Sequence, residues 1–206
     1  MSEEDKEKTT DAKKRKPGER TDTRKRLIKA GIYEIEEHGT KGFSTRRVAK
    51  RCGISCAAPY KHFKDTEEFI TAILTYMNGV YIDEQSKVIE KYKDCSSREL
   101  LVQVSLHYIR FLFEHPQFRR IVMQNFQHCD EEYKSLRGQM STQTYQVVSR
   151  YCKDVNMPPD VRERKTFIVR SIIYGAAFFF ENGELEYTPE KMQMIEDMLN
   201  REFDLP

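Results

Sequence analysis

The sequence predicts an all-α protein: an N-terminal helix-turn-helix unit of three helices, followed by a C-terminal helical domain. Three observations carry this. Apolar residues recur at three- and four-residue spacings over most of the chain. No alternating Val, Ile or Thr run bounded by turn residues is present. Gly and Pro are few, 9 and 7 in 206 residues, and good helix formers fill the stretches between them.

Residues 1–21 show no apolar periodicity and include KKRKPGER, which reads as a flexible basic arm able to lie over phosphates or enter a minor groove. From Asp22, the residues Leu27, Ile28, Gly31, Ile32 and Ile35 form one helical stripe, and Gly39 is placed to end that helix. Ser44 or Thr45 caps a second, short helix with Val48 and Ala49 turned inward and Arg46, Arg47, Lys50 and Arg51 outward. After a Gly53-Ile54 turn, SCAAPYKHF reads as a third helix with small residues at its start. Small residues there suit a helix that must approach base edges in a major groove.

Longer helices follow. Thr66 to about Lys93 carries Phe69, Ile70, Ile73, Leu74, Met77 and Val80 on one face. Ser96 to Glu99 is a capping box ahead of Leu100, Leu101, Val104 and Tyr108. His115-Pro116 ends that helix and starts the next, which bears Phe118, Ile121, Val122 and Phe126. About Asp130 to Val155 is amphipathic. Asp160 to Glu181 contains FIVRSIIYGAAFFF, apolar almost all round, and Thr188-Pro189 starts a last helix with Met192, Ile195, Met198 and Leu199. More apolar surface than one subunit covers, on two adjacent helices, predicts a homodimer through a four-helix interface.

Composition narrows the classes. No apolar run reaches the roughly 18 residues that span a bilayer, and the first 20 residues are charged where a secretion signal is apolar. A cytoplasmic protein without a membrane partner is expected. The 5 cysteines (Cys52, Cys56, Cys95, Cys129, Cys152) are an odd number with no CxxC, which fits free thiols in a reducing compartment and gives no metal set. Net charge is only +2, yet Lys and Arg outnumber Asp and Glu 18 to 10 up to Lys64, and are outnumbered 17 to 23 from Asp65 onward. That asymmetry points the N-terminal third at a polyanion.

The stretch from Arg26 to Phe69 closely resembles the DNA-binding domain of tetracycline-repressor (TetR) regulators. The matching features are Gly39 and Phe43 before Thr45, the Gly53-Ile54-Ser55 turn, and the Tyr60-Lys61-His62-Phe63 ending. The resemblance implies three divisions: an arm over 1–21, a helix-turn-helix domain over 22–68, and an effector-binding and dimerisation domain over 69–206. Thr66 stands where many members place Lys, so Lys64 is the candidate for that phosphate contact. Gly31 stands where Ala is usual.

Residue chemistry and resemblance together give a site. Thr45, Arg46, Tyr60, Lys61, His62 and Lys64 offer hydroxyl, N–H or charge to phosphates, which sets register. Ser55, Cys56, Ala57 and Ala58 offer a hydroxyl, a thiol or methyls to base edges. Phe63 reads as core. The resemblance also implies an apolar effector pocket, for which Tyr108, Phe111, Phe113, Phe118, Met123, Phe126, Tyr145 and Phe178 are the candidates. Its effector, an unknown small molecule, and a double-stranded operator are the expected partners, with no cofactor. No P-loop, GxSxG, HExxH or GxGxxG occurs, so no enzyme is expected. The competing class is a helical adaptor that never touches DNA, which would lack the steep salt dependence of phosphate binding.

Overall fold

A computed structural model describes the backbone of residues 17–123 and 131–204, and the side chains of residues 22–119 and 142–204. Eight α-helices are present among the described residues, and no strand. They are α1 (Pro17–His38), α2 (Thr45–Arg51), α3 (Thr66–Lys91), α4 (Ser97–Glu114), α5 (Pro116–Met123), α6 (Glu131–Asp154), α7 (Pro159–Glu181) and α8 (Pro189–Asp204).

Most boundaries follow local chemistry. The Ser44 hydroxyl accepts from the Arg47 amide at the start of α2, and the Asp65 carboxylate accepts from the Glu68 amide at 2.8 Å at the start of α3. In return Glu68 accepts from the Lys64 amide at 2.7 Å, so two orphan donors are satisfied reciprocally. Ser96 accepts from the Glu99 amide at 3.1 Å, the forward bond of the expected capping box, while Glu99 Oε1 accepts from Gln103 at 3.0 Å. Thr188 accepts from the Lys191 amide at 3.3 Å, with Pro189 in the first turn of α8. The α1 helix starts earlier than predicted: Pro17 is its first residue, so residues 17–21, assigned to the arm, belong to it. Proline is well suited to that position because its missing N–H has no helical partner to lose.

The core is continuous from head to body. Leu27, Ile28 and Ile35 of α1 meet Val48 of α2 and Phe69, Ile70 and Ile73 of α3. Along α3 the buried stripe continues through Leu74, Met77 and Tyr81 into the body, where it joins Leu100, Val104 and Phe111 of α4. The α1 helix also packs on α5, giving the head a second contact with the body. At Gly31 a Cβ would run into the end of the Ile73 side chain. The absent side chain lets α1 approach α3 closely, which offsets the cost of glycine in a helix.

Candidate nucleic-acid interface and helical body

Two features hold the head together. Glu34, only 1% exposed, lies within the apolar stripe of α1 and accepts from the Ser44 amide at 3.1 Å and from Arg47 Nε at 2.7 Å. Arg47 Nη2 also contacts Glu34 Oε1 and donates to the Gly42 carbonyl. One turn along, Arg51 Nη2 donates to Glu37 at 2.7 Å. That hydrogen bond holds the Glu37 carboxyl below its ordinary range and raises the Arg51 guanidinium. Two of the four cations predicted to face outward therefore brace α1 against α2. Arg46 and Lys50 are exposed.

The turn after α2 needs glycine. Gly53 has φ +66°, its amide returns to the Lys50 carbonyl at 3.0 Å, and the Ile54 amide returns to Ala49 at 3.1 Å. These paired bonds close the helix end. Cys52 is tucked beside it, donating to the Arg26 carbonyl at 3.7 Å, while Arg26 Nη2 donates to the Cys52 carbonyl at 3.0 Å. Burial pushes the Cys52 thiol up, against the lowering effect of Arg26 and Arg51. That is the opposite of what a reactive thiolate needs.

The predicted third helix over SCAAPYKHF differs in detail. Residues 55–58 form a turn, with the Ala58 amide on the Ser55 carbonyl at 2.9 Å, and Pro59–Lys61 is a single 3-10 turn. The cause is Pro59, which has no N–H to give the Ser55 carbonyl four residues back. The chain makes three-residue bonds instead, Lys61 amide to Ala58 at 3.1 Å and His62 amide to Pro59 at 2.8 Å.

This geometry sorts the predicted DNA contacts. Ser55, Cys56 and Ala57 are exposed, and Ala58 is half-buried. Tyr60 is 55% exposed, Lys61 and Lys64 are exposed, and His62 is half-buried. Arg46 reaches solvent from the preceding helix. Thr45 is placed differently: it is buried, and its hydroxyl lies 3.3 Å from that of Thr66. It links α2 to the start of α3 rather than facing outward. Phe63 is core, stacked on Phe69 at 4.0 Å with Arg24 over its other side at 5.1 Å.

The effector candidates do not form one group. Phe111 and Phe118 are fully packed in the core, edge to face at 4.8 Å. Tyr108 is half-buried between Tyr81 and Tyr174, with ring centroids at 5.4 and 6.3 Å. Phe113 stacks on Tyr187 at 4.3 Å. Tyr145, 60% exposed beneath Arg162, and Phe178, 50% exposed, lie on the outside and line no interior site. Met123 and Phe126 lie outside the described side chains. Aromatic identity alone cannot separate core from surface, because an i to i+4 stripe is compatible with either.

Sequence reasoning missed the polar residues. Glu34 clamps the head, and in the body Gln85 and His107 are buried beside Tyr81. Each interrupts an apolar stripe at core spacing, seven residues after Leu27 for Glu34 and four after Tyr81 for Gln85. A polar residue on such a stripe was the available signal.

Comparison with known proteins agrees with this architecture. Residues 27–73 match the family model for bacterial regulatory proteins of the tetR family. The chain is 26% identical over 163 residues to the nucleoid occlusion factor SlmA of Aliivibrio fischeri, covering 79% of each. A TetR family transcription regulator from Marinobacter aquaeolei superposes with a TM-score of 0.72 at 21% identity, over 90% of this chain and 97% of that one. AibR, solved with isovaleryl coenzyme A and operator DNA, superposes with a TM-score of 0.64 at 16% identity, over 86% and 95%. No helix among the described residues is long and apolar enough to cross a membrane. The N-terminal helix-turn-helix, over residues 27–73, is thus similar to that of bacterial regulatory proteins of the tetR family.

Proposed function

We propose that two copies of this chain bind a near-palindromic operator as a cytoplasmic repressor, and that a small molecule bound in the helical body releases them. The observation that carries the reading is the outer surface of the head. Small exposed residues, Ser55, Cys56 and Ala57, are flanked by exposed Tyr60, Lys61 and Lys64, with Arg46 beside them. Small side chains allow close approach to base edges while the flanking hydroxyl and charges meet phosphates. The Glu34–Arg47 and Arg51–Glu37 braces hold that surface as a unit.

Dimerisation is supported by what α7 and α8 leave outside. Phe167, Phe178, Phe179, Met194 and Met198 are exposed on these two helices, which pack on each other. A second copy would cover them and set the two heads about one DNA turn apart. AibR, holding both a ligand and operator DNA on the same fold, supports the pairing of functions.

The test is a mobility shift of full-length protein on promoter duplex across a salt series. Affinity falling steeply with salt, and two-fold symmetric footprints, are expected. A flat salt response would instead make the chain a helical adaptor.

A further inference from the structure

Inside the body, two buried polar side chains converge on one tyrosine and leave hydrogen-bonding atoms unused. Gln85 of α3 is 0% exposed. Its amide nitrogen donates to the Tyr81 hydroxyl at 2.6 Å and to Thr144 Oγ1 of α6 at 3.0 Å, while its carbonyl oxygen has no partner. His107 of α4, 8% exposed, lies parallel to Tyr81 at 6.0 Å, and its Nε2 has no partner either. Gln143 of α6 adds a second unpartnered carbonyl, its amide nitrogen donating to Ser86 at 2.9 Å.

Buried polar atoms in folded proteins are paired with few exceptions, since an unpaired one loses its water without replacement. A core built only for packing would fill these positions with apolar side chains. Two neighbouring helices instead retain polar groups around Tyr81, within an apolar wall that includes Phe111 at 4.9 Å from Tyr81. Where stability is given up in this way, function is the usual reason.

The chemistry selects a ligand. The Gln85 carbonyl only accepts, so its partner must bring an O–H or N–H, and a carboxylate or phosphate would be repelled. His107 is held neutral by burial and by Arg110 and His115, with its pKa lowered to about 4. The buried cation nearby, Arg119 of α5, has its charge met by Glu181 at 2.6 Å and donates to the Leu112 carbonyl at 2.9 Å, which leaves its Nε without a partner. We propose that Gln85 and His107 are the hydrogen-bonding groups of the effector site, and that they select an uncharged, largely apolar ligand bearing an O–H or N–H donor. This assignment rests on the reading of the body as effector-binding.

Thermal melts and calorimetric titration of the full chain test it, with 4-ethylphenol and benzyl alcohol as donor probes. Ethylbenzene and benzoate serve as matched compounds without a donor, and isovaleryl-CoA as an anionic alternative. The donor probes should raise the melting temperature while the other three do not. Gln85→Met and His107→Phe should each weaken 4-ethylphenol binding at least tenfold and leave probe-free operator binding unchanged. His107→Phe, which replaces an unpartnered nitrogen by carbon, should melt at or above wild type, so it serves if Gln85→Met fails to fold. Equal shifts with ethylbenzene and 4-ethylphenol, a shift with benzoate or isovaleryl-CoA alone, or no shift with any probe each overturns the proposal. So does a His107→Phe protein melting several degrees below wild type. The salt-dependent operator shift of wild type is measured separately, so its loss identifies a failure of the DNA-binding reading instead.

Discussion

Removing either half of the Glu34–Arg47 pair should have very different costs, because only one half is buried. The Glu34 side chain is 1% exposed and that of Arg47 is 50% exposed. In Arg47→Met the carboxylate stays inside with the Ser44 amide at 3.1 Å and His38 Nε2 at 4.0 Å as its remaining close neighbours. Stranding a buried charge typically costs 3–5 kcal/mol, and the surviving amide bond places this case near about 3 kcal/mol. In Glu34→Gln the side-chain oxygen still accepts from Ser44, while Arg47 turns to water, so about 1 kcal/mol is lost. For a chain of this size those figures correspond to roughly 6–12 °C and 2–4 °C in melting temperature. Urea unfolding followed by circular dichroism, with the slope checked for constancy, measures both. The Glu34→Gln/Arg47→Met double variant strands no charge and should recover part of the loss. Equal losses in the two single variants, or a double variant no better than Arg47→Met, would refute the reasoning.

Lys61→Ala should weaken binding on all duplexes alike and flatten the salt slope by about one counterion, whereas Arg47→Met at a temperature where it is folded should leave the slope unchanged, since Glu34 already engages that cation. Phe179→Glu puts a charge on an exposed ring of α7, and sedimentation should show the dimer dissociating to half its mass. Because burial holds the folded His107 near pKa 4 against 6.5 for the free side chain, the unfolded state takes up its proton first as pH falls. His107 costs nothing above about pH 6.5, and its destabilising effect grows as pH falls toward 4, to on the order of 2 kcal/mol after allowance for water near the ring. Melts across that window should show the slope reduced in His107→Phe, and an unaltered slope would sink the assignment.

The helices were legible because their signals are local. Ser44, Asp65, Ser96 and Thr188 each cap the helix that follows, and Gly53 takes the left-handed turn that few other residues adopt. Side-chain direction was less legible. On α8, Ile195 and Leu199 face the core as their spacing predicts, but Met198, read on the same stripe, faces outward. Thr45 reads as a hydroxyl available to phosphate, yet Thr66 lies 21 residues away in sequence and 3.3 Å away in space. Long-range partners of this kind carry no local periodicity. Pro59 was visible in the sequence, and its missing N–H was sufficient to foresee a 3-10 turn in place of an α-helix.

The same contacts that fix the head determine how the body can move it. The α3 helix starts at Thr66, joined through its hydroxyl to Thr45 of α2, and carries Gln85 about 28 Å further along its axis. Under the proposed effector site, a ligand drawing on Gln85 would act on the helix that anchors the proposed DNA-facing turn. If the head were loosely assembled, a tilt of α3 would be absorbed by rearrangement between α1 and α2. The Glu34–Arg47 and Arg51–Glu37 braces, together with the Phe63–Phe69 stack, oppose that, so α1, α2 and the recognition turn move with α3. The contact of α1 with α5 makes a second connection, and Arg119 ties α5 in turn to Glu181 at the end of α7. In the proposed dimer, two heads that must fit grooves a fixed distance apart would then respond to the arrangement of the body as a whole. Coupling of this kind is reciprocal: whatever factor the ligand takes from operator affinity, the operator takes from ligand affinity.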